Sequence, residues 1–475
     1  MLTTALALLH YTAALIVSIR VLLRPRLEPT VRLSWILVVE LIPLVGIFAY
    51  ILFGEIRMRG AEVQKMADVR DRLSGLWQPS PYVVKKVRDE AGPSIAAAQA
   101  TGGMEAVNGN HIVLLAEGDE SIDDMVAAID GAREHVHILF YIWLDDPSGR
   151  KVAEATIRAA ERGVKVRVII DTFGSRAFGR SATWARMLDA GIEGVQALPL
   201  GLPIIGALFQ RMDLRNHRKV LVVDNEVGFT GSRNCADQAF EIKPRFAPWI
   251  DILLRVHGPV LRQMQATFLQ DWMSYTGEDL GEMLKFTPPA QLPGAVAQIV
   301  ATGPDLRQGS IADCMVTMLA SARAEVMITT PYYVPDSALD TAIRSAARRG
   351  VKVTMILPER NDSLVVGATS EGFYYGLLNA GVELHLFQGG LLHTKALSVD
   401  GRIAMIGSAN MDRRSFEINY EMNMLILDED CVHALDSRQL SYVERSRPIS
   451  KDEVASWSIW RRLRNNLLAL ASPLL

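Results

Sequence analysis

Two short stretches of this 475-residue chain carry the same set of reactive side chains. The first, RNHRKVLVVDNEVGFTGSRN, supplies His217, Lys219, Asp224, Ser232 and Asn234. The second, LLHTKALSVDGRIAMIGSAN, supplies His393, Lys395, Asp400, Ser408 and Asn410. Both follow H-x-K-x-x-x-x-D and then G-S-x-N. An imidazole can be a nucleophile or an acid and base, and an ammonium can stabilise an anionic oxygen. Brought together, the two motifs would make one pocket suited to a phosphodiester. The lysines, helped by the Ser and Asn groups, would stabilise charge on the phosphoryl oxygens. One His would attack phosphorus and form a covalent phospho-histidine. The other would protonate the leaving alcohol and deprotonate the incoming one. No clustered carboxylates suggest a metal, and this chemistry calls for no metal or other cofactor. The motifs look equivalent, so the residues alone do not say which His attacks.

The spacing points to the elements that hold these groups. VLVVD and ALSVD read as strands, and Asp224-Asn225 and Asp400-Gly401 are hairpin-turn dipeptides. Asp224 and Asp400 therefore read as turn residues of the motif rather than bases. On a strand, residues i and i+2 share a face, so each His projects with its Lys while Arg218 and Thr394 point away. A reactive imidazole is usually oriented by a carboxylate. Asp251, in FAPWIDILLRV, and Glu421, in SFEINYEMNML, occupy equivalent places after the motifs. Each is the expected partner of the His in its own copy.

The motifs belong to a larger repeat. AAIDGAREHVHILFYIWLDD with ATIRAAERGVKVRVIID is echoed by TMLASARAEVMITTPYYVPD with TAIRSAARRGVKVTMILP. Each copy shows an amphipathic helix, an apolar strand, a helix ending at Arg-Gly and a Val-rich strand. Gly163 and Gly350 supply the helix stops. Alternating helices and buried strands imply βαβ units in a parallel or mixed sheet. A period of about 180 residues marks a duplicated domain rather than a solenoid array.

The chain opens differently. Residues 3–23 and 33–53 are apolar runs, each about 20 residues long, enough to cross a hydrocarbon core of ~30 Å. A short basic turn with Arg24, Arg26 and Arg32 separates them. A signal peptide fits poorly, since no basic n-region or clear cleavage site is present. A two-span hairpin would leave the rest of the chain on the same side as the N-terminus. Basic residues flank both ends, so the positive-inside rule does not choose that side. The formal net charge of −3 gives no support to a nucleic-acid binder. Cys235, Cys314 and Cys431 are too scattered for a disulfide framework or a zinc site.

The duplicated motif resembles that of the phospholipase D superfamily. The N-terminal hairpin ending in LFGE, the blocks RNHRK, GFTGSRN and GSANMDRRSFEINYE, and the closing SPLL narrow the resemblance to bacterial cardiolipin synthases. It covers essentially the whole chain. It implies an α/β fold of two phospholipase D-like α/β/α sandwich domains related by a pseudo-twofold, preceded by a two-helix transmembrane hairpin. It also implies phosphatidylglycerol as substrate, exchange of two such lipids to cardiolipin and glycerol, and a bacterial inner-membrane location. The six active-site residues would be His217, Lys219, Asp224, His393, Lys395 and Asp400, with His217 commonly the nucleophile. A hydrolase of the same chemistry, releasing phosphatidic acid, is the alternative. The expected segments are a hairpin at 1–54, a helical linker at 55–110, domains at 111–290 and 291–447, and an amphipathic end at 448–475. The apolar stretch 200–212 reads as a lipid contact or a packed lid. The Trp- and Arg-rich end reads as an interfacial or a docked helix.

Overall fold

The computed structural model describes residues 2–25, 27–42, 44–55, 58, 60–84, 91–199, 213–306 and 309–470. The stretch 200–212 and the closing SPLL lie outside the described residues. One mixed sheet of 15 strands runs through both copies. From the centre outwards the first copy contributes Val107–Leu114, Leu253–His257, Val227–Gly231, Lys219–Val223, His135–Phe140, Lys165–Asp171 and Glu193–Ala197. The second contributes Ala295–Thr302, Glu421–Leu427, Ile403–Gly407, Ala396–Val399, Glu325–Thr329, Lys352–Pro358 and Glu383–Phe387, with Ser446–Ile449 at the edge. The same strand order on both sides is the repeat made visible.

The two copies are joined edge to edge in that sheet. Val107–Leu114 lies antiparallel to Ala295–Thr302. The Asn110 amide fixes this seam by donating to the Ala295 carbonyl at 2.9 Å. The opening strand thus begins inside the segment read from sequence as linker. The βαβ units follow the pattern expected from their residues. His135–Phe140 and Lys165–Asp171 are parallel neighbours joined by the helix Pro147–Glu161. That helix starts at Asp146, whose side chain accepts from the Gly149 N–H. Its chain exit runs through Gly163 at φ +89°, matched by Gly350 at φ +90°, a backbone state that favours glycine.

Helices cover both faces. Glu120–Asp130 and Pro147–Glu161 bury Ile122, Met125 and Val152 against the first copy, and Ser310–Ser321 and Ser337–Arg348 do the same in the second. On the other face, Leu261–Thr276 and Glu429–Glu444 help enclose one core that spans the seam. There Phe268 and Leu435 join Ile112, Val256, Ala297 and Met424. Each such side chain withdrawn from water stabilises the fold by ~1.5–3 kcal/mol. The linker helix Gly60–Leu76 adds Val69 and Leu73 to that core, so it is docked on the sheet.

The apolar N-terminus forms helices at Leu2–Leu23, Pro29–Leu41 and Val45–Phe53. The second run is therefore two helices, where the sequence reading had one continuous span. Ile42 leaves the helical region and Leu44 sits at φ +61°, on either side of Pro43 in the sequence. A proline has no N–H to donate and its ring clashes with the preceding turn, which accounts for a break here. Among the described residues no helix is long and apolar enough to cross a membrane. At the other end, Ile459–Leu470 docks through Arg461 and Asn465 onto Glu371, at 2.8 Å and 2.6 Å. Its outer face leaves Ile459, Trp460, Leu463, Leu467 and Leu470 exposed.

Candidate active site

Each motif sits at the start of a central hairpin. Lys219–Val223 pairs antiparallel with Val227–Gly231, and Ala396–Val399 with Ile403–Gly407. The turns place Asp224 at φ +51° and Asp400 at φ +53°. The Asp224 carboxylate accepts from the N–H groups of Arg133, Glu134 and His135 at 2.7–2.9 Å. Asp400 accepts from Arg323, Ala324 and Glu325 at 2.8–2.9 Å. Both aspartates thus tie the hairpin turn to the start of a neighbouring strand. Their oxygens are committed to backbone donors far down the strand from the imidazoles.

The reactive groups are at the other end, and almost wholly buried. His217 is 7 % exposed, Lys219 1 %, His393 6 % and Lys395 3 %. Each lysine folds back on its own motif. The Lys219 ammonium donates to the His217 carbonyl at 2.7 Å, and Lys395 to His393 at 2.6 Å. Arg218 reaches Asp271 at 2.5 Å, and the strands begin only at Lys219 and Ala396, so both histidines lie just ahead of them rather than on them as expected.

The carboxylate partners are crossed between copies. His217 Nδ1 lies 3.0 Å from both Glu421 oxygens, and His393 Nδ1 lies 2.8 Å from Asp251 Oδ1. The expectation that each His pairs within its own copy is therefore corrected. The cause is backbone pairing across the pseudo-twofold. Asn216 bridges Tyr420, and Leu391–Leu392 pairs in parallel with Trp249–Ile250. The His217 N–H donates to the Tyr420 carbonyl at 2.9 Å, and the His393 N–H to Ile250 at 2.8 Å. Register then leaves each His one residue from the other copy's carboxylate.

The G-S-x-N serines complete these pairs. Ser232 donates to Asp251 at 2.6 Å and accepts from the Ile252 N–H at 3.0 Å. Ser408 donates to Glu421 and accepts from the Met422 N–H at 2.9 Å. Their protons are thus spent on carboxylates, not held for phosphoryl oxygens as the sequence reading had them. The asparagines are also partly engaged. Asn234 accepts from the Ile142 N–H at 3.3 Å, and Asn410 donates to Asp412 at 3.2 Å.

Burial sets the protonation states. It drives His217 down to about 4, against the pull of Glu421, and the two lysines push the same way. His393 is lowered for the same reasons, with Asp251 opposing. Burial brings Lys219 down to about 8, while Lys395, also repelled by Lys219, comes down to about 7. Burial alone would raise the carboxyls. The facing imidazoles and ammoniums and the serine hydrogen bonds outweigh it, holding Asp251 low and Glu421 at about 2. At neutral pH each carboxylate is ionised and can accept from Nδ1–H. That leaves the Nε2 lone pair of a neutral His217 free to attack.

Three residues beside the histidines were not singled out in the sequence. Tyr141 meets the His217 ring edge-on at 4.8 Å, and Trp249 meets His393 in the same way at 4.8 Å. Asn419 donates to Glu421 at 3.1 Å. A signal was available: aligning the copies puts Pro331 opposite Tyr141, and Asn419 opposite Trp249, two residues before each carboxylate. The divergent positions of the repeat are the ones that line the histidines.

Two central hairpins, crossed imidazole–carboxylate pairs and a shared sheet define a phospholipase D-like fold. The crystal structure of phosphatidylserine synthase from Haemophilus influenzae is similar, with TM-score 0.59 and 13 % identity over 81 % of this chain and 100 % of that one. Residues 125–272 and 315–439 match the family described as cardiolipin synthase, PLD-like domain, and residues 13–55 match the phospholipase D-nuclease N-terminal family. Cardiolipin synthase A of Proteus mirabilis is 37 % identical over 97 % of this chain and 96 % of its own length. Cardiolipin synthase A of Edwardsiella ictaluri is 35 % identical over the same shares. The chain belongs to the bacterial cardiolipin synthase family of the phospholipase D superfamily.

Proposed function

We propose that this protein is a phosphatidyltransferase that converts two phosphatidylglycerol molecules to cardiolipin and glycerol. The observation that carries the chemistry is the pair of crossed dyads, whose imidazoles and ammoniums lie close enough to act on one another electrostatically. His217 Nε2 attacks phosphorus of the first lipid. The P–O bond to the glycerol headgroup breaks, and His393, protonated once the anionic phosphodiester sits beside it, gives its proton to that oxygen. Glycerol leaves and a phosphatidyl-histidine remains. His393, now neutral, takes the proton from a hydroxyl of the second phosphatidylglycerol. That oxygen attacks phosphorus and the P–N bond breaks, releasing cardiolipin and restoring His217. Lys219 and Lys395 face the phosphoryl oxygens throughout, and their charge matters most as negative charge builds there. Asp251 and Glu421 hold the imidazole tautomers, with Ser232 and Ser408 holding the carboxylates.

The N-terminal helices anchor this site in the bacterial inner membrane, with the catalytic part on the same side as the N-terminus. Support comes from their outward leucines: Leu8, Leu15, Leu22, Leu33 and Leu41 are all more than half exposed, an arrangement that suits lipid. The exposed face of Ile459–Leu470 would lie at the same interface. The decisive experiment is product analysis with phosphatidylglycerol as the sole lipid. Cardiolipin with released glycerol is expected. Phosphatidic acid as the main product would mean that water intercepts the intermediate and that the protein is a hydrolase.

A further inference from the structure

A cavity of about 870 Å³ lies apart from the histidines, between helix Pro29–Leu41, helix Ile459–Leu470 and the second copy. Its walls are mostly apolar, with Leu33, Leu37 and Leu41 on one side, Leu467 and Leu470 on another, and Phe373 behind. The two helices meet where the Ser34 hydroxyl donates to the Leu470 carbonyl at 3.1 Å. The charged lining is Glu28, Asp336, Asp340 and Arg413. The buried Arg413 pairs with Glu28 at 3.3 Å and with Glu417. Arg413 follows Asn410, Met411 and Asp412, so the chain that lines the groove is the one that leaves the G-S-x-N segment of the second motif.

Three features together identify an occupant. The volume is that of a ligand pocket. Leu33, Leu37, Leu41, Leu467 and Leu470 on its walls all stay exposed. The groove also opens among leucines of the two segments that carry the outward apolar faces described above. A long, uncharged, flexible hydrocarbon satisfies all three. We propose that the groove holds one acyl chain of the lipid substrate, aligning the diacylglycerol so that its phosphate reaches the crossed dyads. This inference deepens the phosphatidyltransferase reading and rests on it.

The test uses the full chain in detergent micelles. Phosphatidylglycerol with a diazirine at the end of one acyl chain is photolysed on the protein, and labelled peptides are mapped. Label is expected in 29–41 and 459–470; label confined to other segments overturns the proposal. In parallel, Leu37→Trp and Leu467→Trp narrow the groove. Each should lower the preference for dioleoyl- over dihexanoyl-phosphatidylglycerol, as a ratio of kcat/KM, by about tenfold. An unchanged ratio, with both substrates affected equally, would mean that these residues only pack, and would also overturn it. The outcomes separate from those of the parent reading. Phosphatidic acid as product with label in the groove removes the transferase and keeps the groove. Cardiolipin with label elsewhere does the reverse.

Discussion

The two half-sites have the same backbone and different surroundings. Around His217 stand Tyr141 and a glutamate held by Ser408 and Asn419. Around His393 stand Trp249 and an aspartate held by Ser232. Glu421 offers both oxygens to Nδ1 and has one more donor than Asp251. Both aromatic rings come from the first copy. The duplication supplied two equivalent imidazoles, and divergence at the flanking positions made them distinguishable. A reaction that needs a nucleophile and an acid at different moments requires such a difference.

The strongest way to break the comparison is to remove one histidine at a time. His217→Ala and His393→Ala should each lower turnover by ~10⁴-fold or more, since the groups act as a unit. Near-normal turnover in either would sink the paired site. Labelling tells them apart: with His393→Asn and a phosphatidyl p-nitrophenyl ester, whose leaving group needs no acid, phosphatidyl label should accumulate on His217, and label on a different residue would reverse the assignment.

Next in size is the crossing itself. Glu421→Gln and Asp251→Asn should each cost ~10²–10⁴-fold in kcat by freeing the imidazole tautomer. A double-mutant cycle sharpens this. His217 should couple to Glu421 and His393 to Asp251, whereas same-copy pairs should be nearly additive. Stronger coupling within a copy would refute the crossed geometry.

A smaller effect is expected from pH. The folded-state ammoniums titrate below their usual range, at about 7 for Lys395 and about 8 for Lys219. Their charge is present below those values and lost as pH rises through them. The kcat/KM profile, which reports the free enzyme, should therefore fall on the alkaline side beginning near pH 7. A flat profile to pH 9 would show that the lysines stay charged. Asn419→Ala, which removes only one donor to Glu421, should cost a few-fold, in line with ~1 kcal/mol per hydrogen bond.

The least effect on rate should come from the motif aspartates. Asp224→Asn and Asp400→Asn loosen a carboxylate that holds three backbone N–H groups, so stability should fall by ~1–3 kcal/mol. Thermal denaturation checks this. A large loss of kcat in well-folded protein would give these residues a chemical role.

Much of this was legible in the chain. The repeat predicted a duplicated domain of βαβ units, because helix and strand periodicities recur at matching places. Asp-Asn and Asp-Gly predicted hairpin turns, because few residues adopt positive φ cheaply. His217, Lys219, His393 and Lys395 could be named because the same H-x-K spacing recurs at matching places in the two copies. The break between Ile42 and Leu44 is also a local matter, since Pro43 interrupts the second apolar run in the sequence. The partnership of each histidine was of another kind. His217 and Glu421 are 204 residues apart, and nothing local favours Glu421 over Asp251.

Sequence by itself determined which groups are the candidates for the chemistry, since residue type, spacing and turn propensity are local properties. Only the tertiary structure decided how they combine. Asn216 pairs with Tyr420 and Leu392 with Ile250, and those backbone contacts exist only once the two halves close on each other. The closure crosses the carboxylates, diverts the serines to hold them, and buries the lysines deeply enough to lower their pKa. Those consequences depend on distance and dielectric, which the order of residues along the chain does not carry.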